Sequence, residues 1–352
     1  MTRRVFLRVD AGGACGFGHL HRMHALAVAL RAGGAPPVFV TRTAGLNSLL
    51  PAPPPGEAPW DVWQAPGAPT ESGVLDWLRH VLQPADVLVL DVPHPDDPHQ
   101  LTTLRQLCPV VRLDHPWAEP QTCDLLVLPG AHYDPDTLDT LDAAWGDRLL
   151  VGWDYVLLRP DVTAATRRAY GTGGCHRWPW VTCSAGGSDP EQTLPVWLDL
   201  LLAAPALCPG RTRIFCLGQA ARWESPLPVL SPDVWLTGYS LDYVQQAELL
   251  VCPFGVSVYE ALFLGTPCLT VGRTLGDVAA ARTLEVASEG ALWPLTTPLA
   301  QLQRRELYDA LQGLYHSRTR LVGMHRASEG RLDGRGAERV AQAILALPQE
   351  GP

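Results

Sequence analysis

The sequence predicts two doubly wound, Rossmann-like α/β domains in succession, and three observations predict it. Apolar runs of strand length alternate with helical patterns through the first half of the chain. The runs are continuously apolar rather than alternating, as the strands of a parallel sheet covered on both faces must be. After a glycine-containing break near residue 171 the same alternation restarts, and 352 residues are enough for two cores of ordinary size.

Taken in order, Val5–Val9 reads as a strand, Leu20–Arg31 as an amphipathic helix and Pro37–Thr41 as a second strand. Further strands are expected at Val87–Leu90, Val110–Leu113 and Leu125–Leu128, with helices over Gly73–Leu82 and Asp97–Leu107. Residues 51–70 are rich in Pro, Ala and Gly and read as a loop. A linker at Gly171–Trp178 closes a first domain over 1–170. The second, over 171–335, is built from strand Trp180–Ser184, helix Glu191–Ala203, strand Arg213–Leu217 and a helix near Leu241–Glu248. Strand Leu249–Cys252, helix Ser257–Leu264 and strand Cys268–Val271 continue it, and helices fill Leu299–Tyr315 and Gly336–Leu347. The last of these, within 336–352, is expected to pack back on the first domain. In such sheets ligands bind beyond the carboxyl ends of the strands, so the strand-to-helix loops of both domains are expected to face a central cleft.

Composition removes several function classes. The net charge is −9 and no basic run occurs, which argues against a nucleic-acid partner. All 27 basic residues are Arg, so neither a Schiff base nor a P-loop lysine is available. The nine Cys form no C-x-x-C pair, and neither His nor Cys clusters at metal-ligand spacing, so no metal or other cofactor is expected. The opening residues read as a strand rather than a signal peptide, and the longest apolar stretches fall short of a membrane span. A cytoplasmic protein with no integral membrane segment is the expectation.

Three strand-to-helix loops carry candidate chemistry. The first runs from Arg8 to Arg22 and holds Gly12, Gly13, Gly16 and Gly18, which let backbone N–H groups approach a ligand. His19 begins the following helix, whose positive end favours a neutral imidazole able to accept a proton. Arg22 lies one turn on, while His21 and His24 sit deeper in the helix and are poorer candidates. The plainer reading is a glycine turn that packs helix on strand. The second loop, Ser184-Ala-Gly-Gly-Ser-Asp189, follows the first strand of the second half and suits an anion or an ordinary N-cap equally. The third, Cys252-Pro-Phe-Gly-Val-Ser-Val-Tyr-Glu260, could hold a phosphate on its amides and a ribose diol on Glu260. It could equally be a capping box, with Ser257 as N-cap and Glu260 at N3.

These loops belong to a longer series of motifs. It comprises Arg8-x-Asp10, Gly-x-Gly-His19-x-x-Arg22, Leu113-Asp114 with Cys123-Asp124, and Gly152-x-x-Tyr155-x-x-x-Arg159. Gly186-Gly187-Ser188-Asp189, Ser257-x-x-Glu260-Ala261 and Asp333-Gly-x-Gly-Ala-x-Arg339 complete it. In this series the chain resembles the UDP-sugar hydrolase family of pseudaminic acid synthesis, the UDP-diacetamido-trideoxy-altropyranose hydrolases, and more distantly the peptidoglycan N-acetylglucosaminyltransferases.

The resemblance implies a fold of the GT-B type, a nucleotide held by the second domain and a role in cell-surface polysaccharide biosynthesis. It makes His19 the catalytic base, beside Arg22 and Asp10. Gly16, Gly18, Tyr155, Arg159, Gly186, Gly187, Ser188, Tyr239, Gly255, Val256, Ser257 and Glu260 stand as substrate- or nucleotide-binding candidates, with the diphosphate on Gly186–Ser188 and Ser257 and the ribose on Glu260. Asp91, His94 and Asp114 are pocket candidates. His94 falls where the family carries a pocket Tyr, Asp114-His115 replaces an acidic pair, and Arg273-Thr-Leu-Gly-Asp277 replaces an Asn-Gln pair. The expected reaction is attack of water on the anomeric carbon of a UDP-sugar, with release of UDP and no metal. The alternatives are an inverting glycosyltransferase with an acceptor hydroxyl in place of water, and a UDP-sugar-binding protein without catalysis.

Overall fold

The computed structural model describes residues 3–12, 15–53, 56–65, 67, 70–93, 97–165, 178–186, 213–217, 234–237 and 239–348. The chain divides into two compact units. One comprises Met1–Gly130, Asp134–Pro160 and Gly334–Pro352, the other Ala131–Tyr133 and Asp161–Asp333.

The first unit is a seven-stranded parallel sheet in the order β3-β2-β1-β4-β5-β6-β7. Its strands are β1 (Val5–Val9), β2 (Pro37–Thr41), β3 (Asp61–Gln64), β4 (Val87–Asp91), β5 (Val110–Leu113), β6 (Leu125–Leu128) and β7 (Leu149–Val151). Helices α1 (Gly18–Ala32), α2 (Glu71–Val81), α3 (Pro98–Arg105) and α4 (Pro135–Trp145) connect them. Five of the strands are buried along their whole length, which is why their sequences are runs of Val, Leu and Phe. Start signals are local: Thr70, Asp97 and Asp134 cap α2, α3 and α4, the last two followed by Pro. The order places β1 and β4 side by side, with Val9 opposite Asp91. Connections leave that point in opposite directions, which makes it the switch point of the sheet.

Residues 51–70 are not all loop, because Asp61–Gln64 pairs with β2 as the edge strand β3. A four-residue edge strand, half-exposed and carrying Asp and Gln, has too little apolar periodicity to be read from sequence. Its Trp63 packs edge-on to Phe6, with ring centroids 5.4 Å apart.

The second unit carries a six-stranded parallel sheet in the order β10-β9-β8-β11-β12-β13. Its strands are β8 (Trp178–Ser184), β9 (Arg213–Leu217), β10 (Val234–Thr237), β11 (Ala247–Pro253), β12 (Cys268–Val271) and β13 (Leu292–Pro294). Among the described residues its helices are α5 (Pro160–Thr163), whose first residue still belongs to the first unit, α6 (Leu241–Gln246), α7 (Val256–Leu264), α8 (Leu275–Ala287), α9 (Arg304–Tyr315) and α10 (Arg318–Ala327). The helix expected from Leu299 begins only at Arg304, after a single 3-10 turn at Leu299–Gln301 that follows Pro298. The expected helix Glu191–Ala203 and all of the expected linker except Trp178, which opens β8, lie outside the described residues.

The last helix, α11 (Gly336–Ala346), belongs to the first unit and buries Val340, Ala341 and Ile344 in its core. The spacing of these three is one helical face, and each large side chain contributes about 1.5–3 kcal/mol. The helix begins against backbone. A β-carbon on Gly336 would run into the Val156 carbonyl oxygen, so only glycine fits. Arg339 donates to the Asp154 carbonyl at 3.1 Å. The motif Asp333-Gly-x-Gly-Ala-x-Arg339 is therefore the seat of this helix.

Candidate functional site

The loop after β1 turns on Gly12 and Gly16, both at positive φ, and closes on itself through Gly12 N–H donating to the Gly16 carbonyl at 2.9 Å. Helix α1 then starts at Gly18 with no side-chain cap, which puts His19 in its first turn and Arg22 on the same face. From the neighbouring strand end comes Asp91, buried to 1% exposure. His19 Nδ1 lies 2.6 Å from Asp91 Oδ1. Arg22 holds the same carboxylate through Nε at 3.1 Å and Nη2 at 2.8 Å, and reaches Asp114 Oδ2 through Nη1 at 2.5 Å. Burial pushes the Asp91 carboxyl up, but Arg22 and His19 overtake it and hold it below the ordinary carboxylate range. The ionised Asp91 can only accept, so it takes the proton of His19 Nδ1. Arg22 Nη2 lies 2.9 Å from that same nitrogen. A guanidinium only donates, so this is a close contact beside the Arg22–Asp91 bond. In the neutral imidazole this tautomer leaves the lone pair on Nε2. Where sequence set His19 against the helix end alone, the structure adds the carboxylate that orients it, the arrangement of a general base.

Beyond Arg22 the end of β5 is shaped by Asp114, which adopts φ 52, a left-handed conformation uncommon outside glycine. His115 is buried and receives Arg112 Nη2 at 3.2 Å. Burial, then the Arg112 charge, pushes its imidazole down to about 4, so it is neutral at pH 7.

Asp10 is held in an ion-pair network. Both of its oxygens are taken by Arg8 Nη1 and Nη2 at 2.6 and 2.7 Å, and by Arg42 N and Nε at 2.8 and 2.9 Å. Residues two apart on a strand share a face, so Arg8-x-Asp10 is a salt bridge written into β1. Tyr155 packs against the core of the first unit, and Arg159 is half-buried beside it in sequence. Gly16 and Gly18 shape the turn and start α1. His94 lies outside the described residues.

In the second unit the switch point falls between β8 and β11. Gly186 leaves β8 at φ 82, and Gly187 and Ser188 lie outside the described residues. Gly255 is the N-cap of α7 at φ 151, with Val256 and Ser257 in the first turn. The capping box is absent there: the cap is Gly255 rather than Ser257, and Glu260 is buried in the second turn. Tyr239 stands exposed just past β10.

The chain contains one Asp-x-Asp triplet, Asp134-Pro-Asp136. Asp134 is spent on capping α4, accepting from Thr137 N at 2.9 Å. Among the described residues no group of three or more His, Cys, Asp or Glu is placed to hold a metal ion, and no helix is long and apolar enough to cross a membrane.

No family model matches the chain. The spore coat polysaccharide biosynthesis protein SpsG of Bacillus subtilis (strain 168) is 25% identical over 212 residues, which are 58% of this chain and 60% of that protein. The chain thus matches less than two thirds of its relative's length. Among solved structures, the spinosyn rhamnosyltransferase SpnG complexed with thymidine diphosphate superimposes with a TM-score of 0.66 at 16% identity, over 97% of this chain and 99% of that one. The MurG protein of Acinetobacter baumannii does so with a TM-score of 0.58 at 14% identity, over 98% and 100%. With two doubly wound parallel sheets in succession and glycosyltransferases of this architecture aligned along almost its whole length, the chain has the GT-B fold.

Proposed function

We propose that the chain is an inverting glycosyltransferase that moves a sugar from a UDP-sugar to an acceptor hydroxyl. The second unit carries the nucleotide and the first supplies the base. The observation that carries this reading is the His19–Asp91 pair at the switch point of the first sheet. His19 Nε2 takes the proton of the attacking hydroxyl while Asp91 stabilises the imidazolium that forms. The hydroxyl oxygen bonds to the anomeric carbon from the face opposite the leaving group, and UDP departs. The charge that develops on the diphosphate meets the amides at the start of α7. The similarity to a Bacillus spore coat polysaccharide biosynthesis protein and to a rhamnosyltransferase favours a glycan or other hydroxyl acceptor over water. Hydrolysis is the second reading, kept by the motifs shared with the UDP-sugar hydrolases. A panel of UDP-sugars with and without candidate acceptors separates the two. Acceptor-dependent UDP release supports transfer, acceptor-independent release at full rate supports hydrolysis, and release under neither condition removes both.

Glu260 fits the ribose. A buried carboxylate accepts from a 2′,3′-diol through two charge-assisted bonds, and from a deoxyribose through one. Glu260→Ala is expected to weaken UDP binding by about 1.5–3 kcal/mol and to erase any preference for UDP over dTDP. Titration calorimetry reads both, and unchanged affinity takes Glu260 out of the site. Turnover is also expected to survive excess chelator. Activity lost in chelator and restored by Mg²⁺ or Mn²⁺ overturns that expectation.

A further inference from the structure

We infer that Trp117 is the platform on which the acceptor lies, an indole face that takes the C–H side of a pyranose ring near the His19 base. The inference deepens the transferase reading and rests on it: it makes the acceptor a carbohydrate and seats it on the turn after β5.

The indole is exposed, yet its support is built. Trp117 shows 73% of its surface to solvent, the most of any Trp among the described residues. Trp60, Trp145 and Trp293, by contrast, each lie against a guanidinium, from Arg31, Arg148 and Arg320 respectively. A Trp ring left in water forgoes the stabilisation it would gain by burial. The backbone that presents it is not loose surface. Residues 115–118 form a turn in which Ala118 N–H donates to the His115 carbonyl at 3.0 Å, with Pro116 in the second position. The buried His115 ring meets the indole edge to face, with centroids 5.0 Å apart. Just beyond the turn, Arg148 Nη1 donates to the Pro120 carbonyl at 3.0 Å and Arg105 Nη1 to the Gln121 carbonyl at 3.2 Å. A ring fixed on both sides in this way has little freedom left to lose when a ligand settles on it.

The turn is also tied to the strand ends that carry the base. Asp91 and Val92 are consecutive at the end of β4, and Asp114 and His115 are consecutive after β5. Arg22 joins the first member of each pair, Asp91 and Asp114. Arg112 joins the second members, with Nη2 donating to the Val92 carbonyl at 3.1 Å and to His115 Nδ1 at 3.2 Å. Two arginines thus cross the same gap between neighbouring strand ends, one holding the base and the other the turn. Trp117 is three residues from Asp114, so their Cα atoms are at most about 10 Å apart. An acceptor with its hydroxyl at His19 can therefore lay its own ring, or the next ring of a glycan, on the indole.

The chemistry of the two groups selects a sugar. The Asp114 side chain is 27% exposed although Arg22 holds it, and a carboxylate accepts from hydroxyl groups. The indole face takes C–H groups. A pyranose offers both, an apolar ring face and a rim of hydroxyls. An apolar alcohol would set hydrocarbon against the carboxylate, and a nucleotide would bring its phosphates there.

Saturation-transfer difference NMR of the full chain tests this, with methyl pyranosides of gluco, galacto and manno configuration, cyclohexanol and uridine as probes. At least one methyl pyranoside is expected to receive saturation at its ring C–H protons. That signal is expected to vanish in Trp117→Ala and to persist in Trp117→Tyr, with the melting temperature of both variants unchanged. In turnover, Trp117→Ala is expected to raise the KM of a sugar acceptor about 10–100-fold, with a much smaller change in kcat. A pyranoside signal that survives in Trp117→Ala overturns the inference. So does a Trp117-dependent signal from cyclohexanol or uridine alone, or a loss that comes with a lowered melting temperature. If no pyranoside binds the wild-type chain, the sugar platform fails while the transferase reading still stands or falls on acceptor-dependent UDP release.

Discussion

Replacing His19 by Asn is expected to lower kcat by roughly 10²–10⁴-fold while leaving nucleotide affinity within about twofold of wild type. Asn keeps a polar group of similar size at the start of α1 but cannot take a proton. His19 is held by Asp91 on one side and has a partly exposed ring on the other, so the loss falls on proton transfer rather than on folding. Asp91→Asn makes the contrast. It disorients the imidazole and also leaves the buried Arg22 without half of its counter-charge, so it is expected to lower both kcat and the melting temperature. A His19→Asn enzyme that turns over normally removes the base from the mechanism. One that loses nucleotide affinity instead makes His19 a donor-site ligand. His115 is the internal control: its imidazole is neutral at pH 7, but it is buried against Arg112 and its replacement is expected to leave the pH profile of kcat unchanged.

What sequence could see of this site follows the range of the interactions involved. His19 and Arg22 were legible because a Gly-x-Gly turn and a helix start are local. The partner of both, Asp91, was placed only as a pocket residue. It is 69 residues from Arg22, and its pairing depends on β4 crossing to the far side of β1, a property of sheet order rather than of any motif. The same limit works in the other direction. Arg8-x-Asp10 and Asp333-Gly-x-Gly-Ala-x-Arg339 stand out as strongly as the glycine loop before α1, yet one closes a buried ion-pair network and the other seats a helix on Val156. A motif shows that residues are constrained, and only the fold shows by what. The buried parallel strands were read almost to the residue, because burial on both faces forces an apolar run. The edge strands β3, β7, β10 and β13 and helices α4, α5, α8 and α10 are not legible in the sequence. Edges and surface helices need fewer apolar residues, so their pattern blends into the loops around them.

Asp10→Ala is expected to destabilise the first unit by about 3–5 kcal/mol, a fall in melting temperature on the order of 10 °C. Arg8 is fully buried near the end of β1, and its charge is met by Asp10 on one edge and by Glu71 on the other, with Nε 2.9 Å from Glu71 Oε1. Arg42 closes the network on Asp10 at 2.8 Å. Removing one carboxylate leaves a guanidinium in the sheet with half of its compensation, and that residual charge accounts for most of the expected loss. The pH dependence has a definite sign. Burial pushes the Asp10 carboxyl up, but Arg8 and Arg42 pull it below the ordinary carboxylate range. A depressed folded value means that the unfolded chain binds the proton first. The stabilisation is therefore complete above about pH 4 and is lost as pH falls from there toward the folded value. Urea midpoints of wild type and Asp10→Asn should differ by a constant amount at neutral pH and converge below about pH 4. A variant that melts like wild type but no longer turns over would return Asp10 to the catalytic set beside His19.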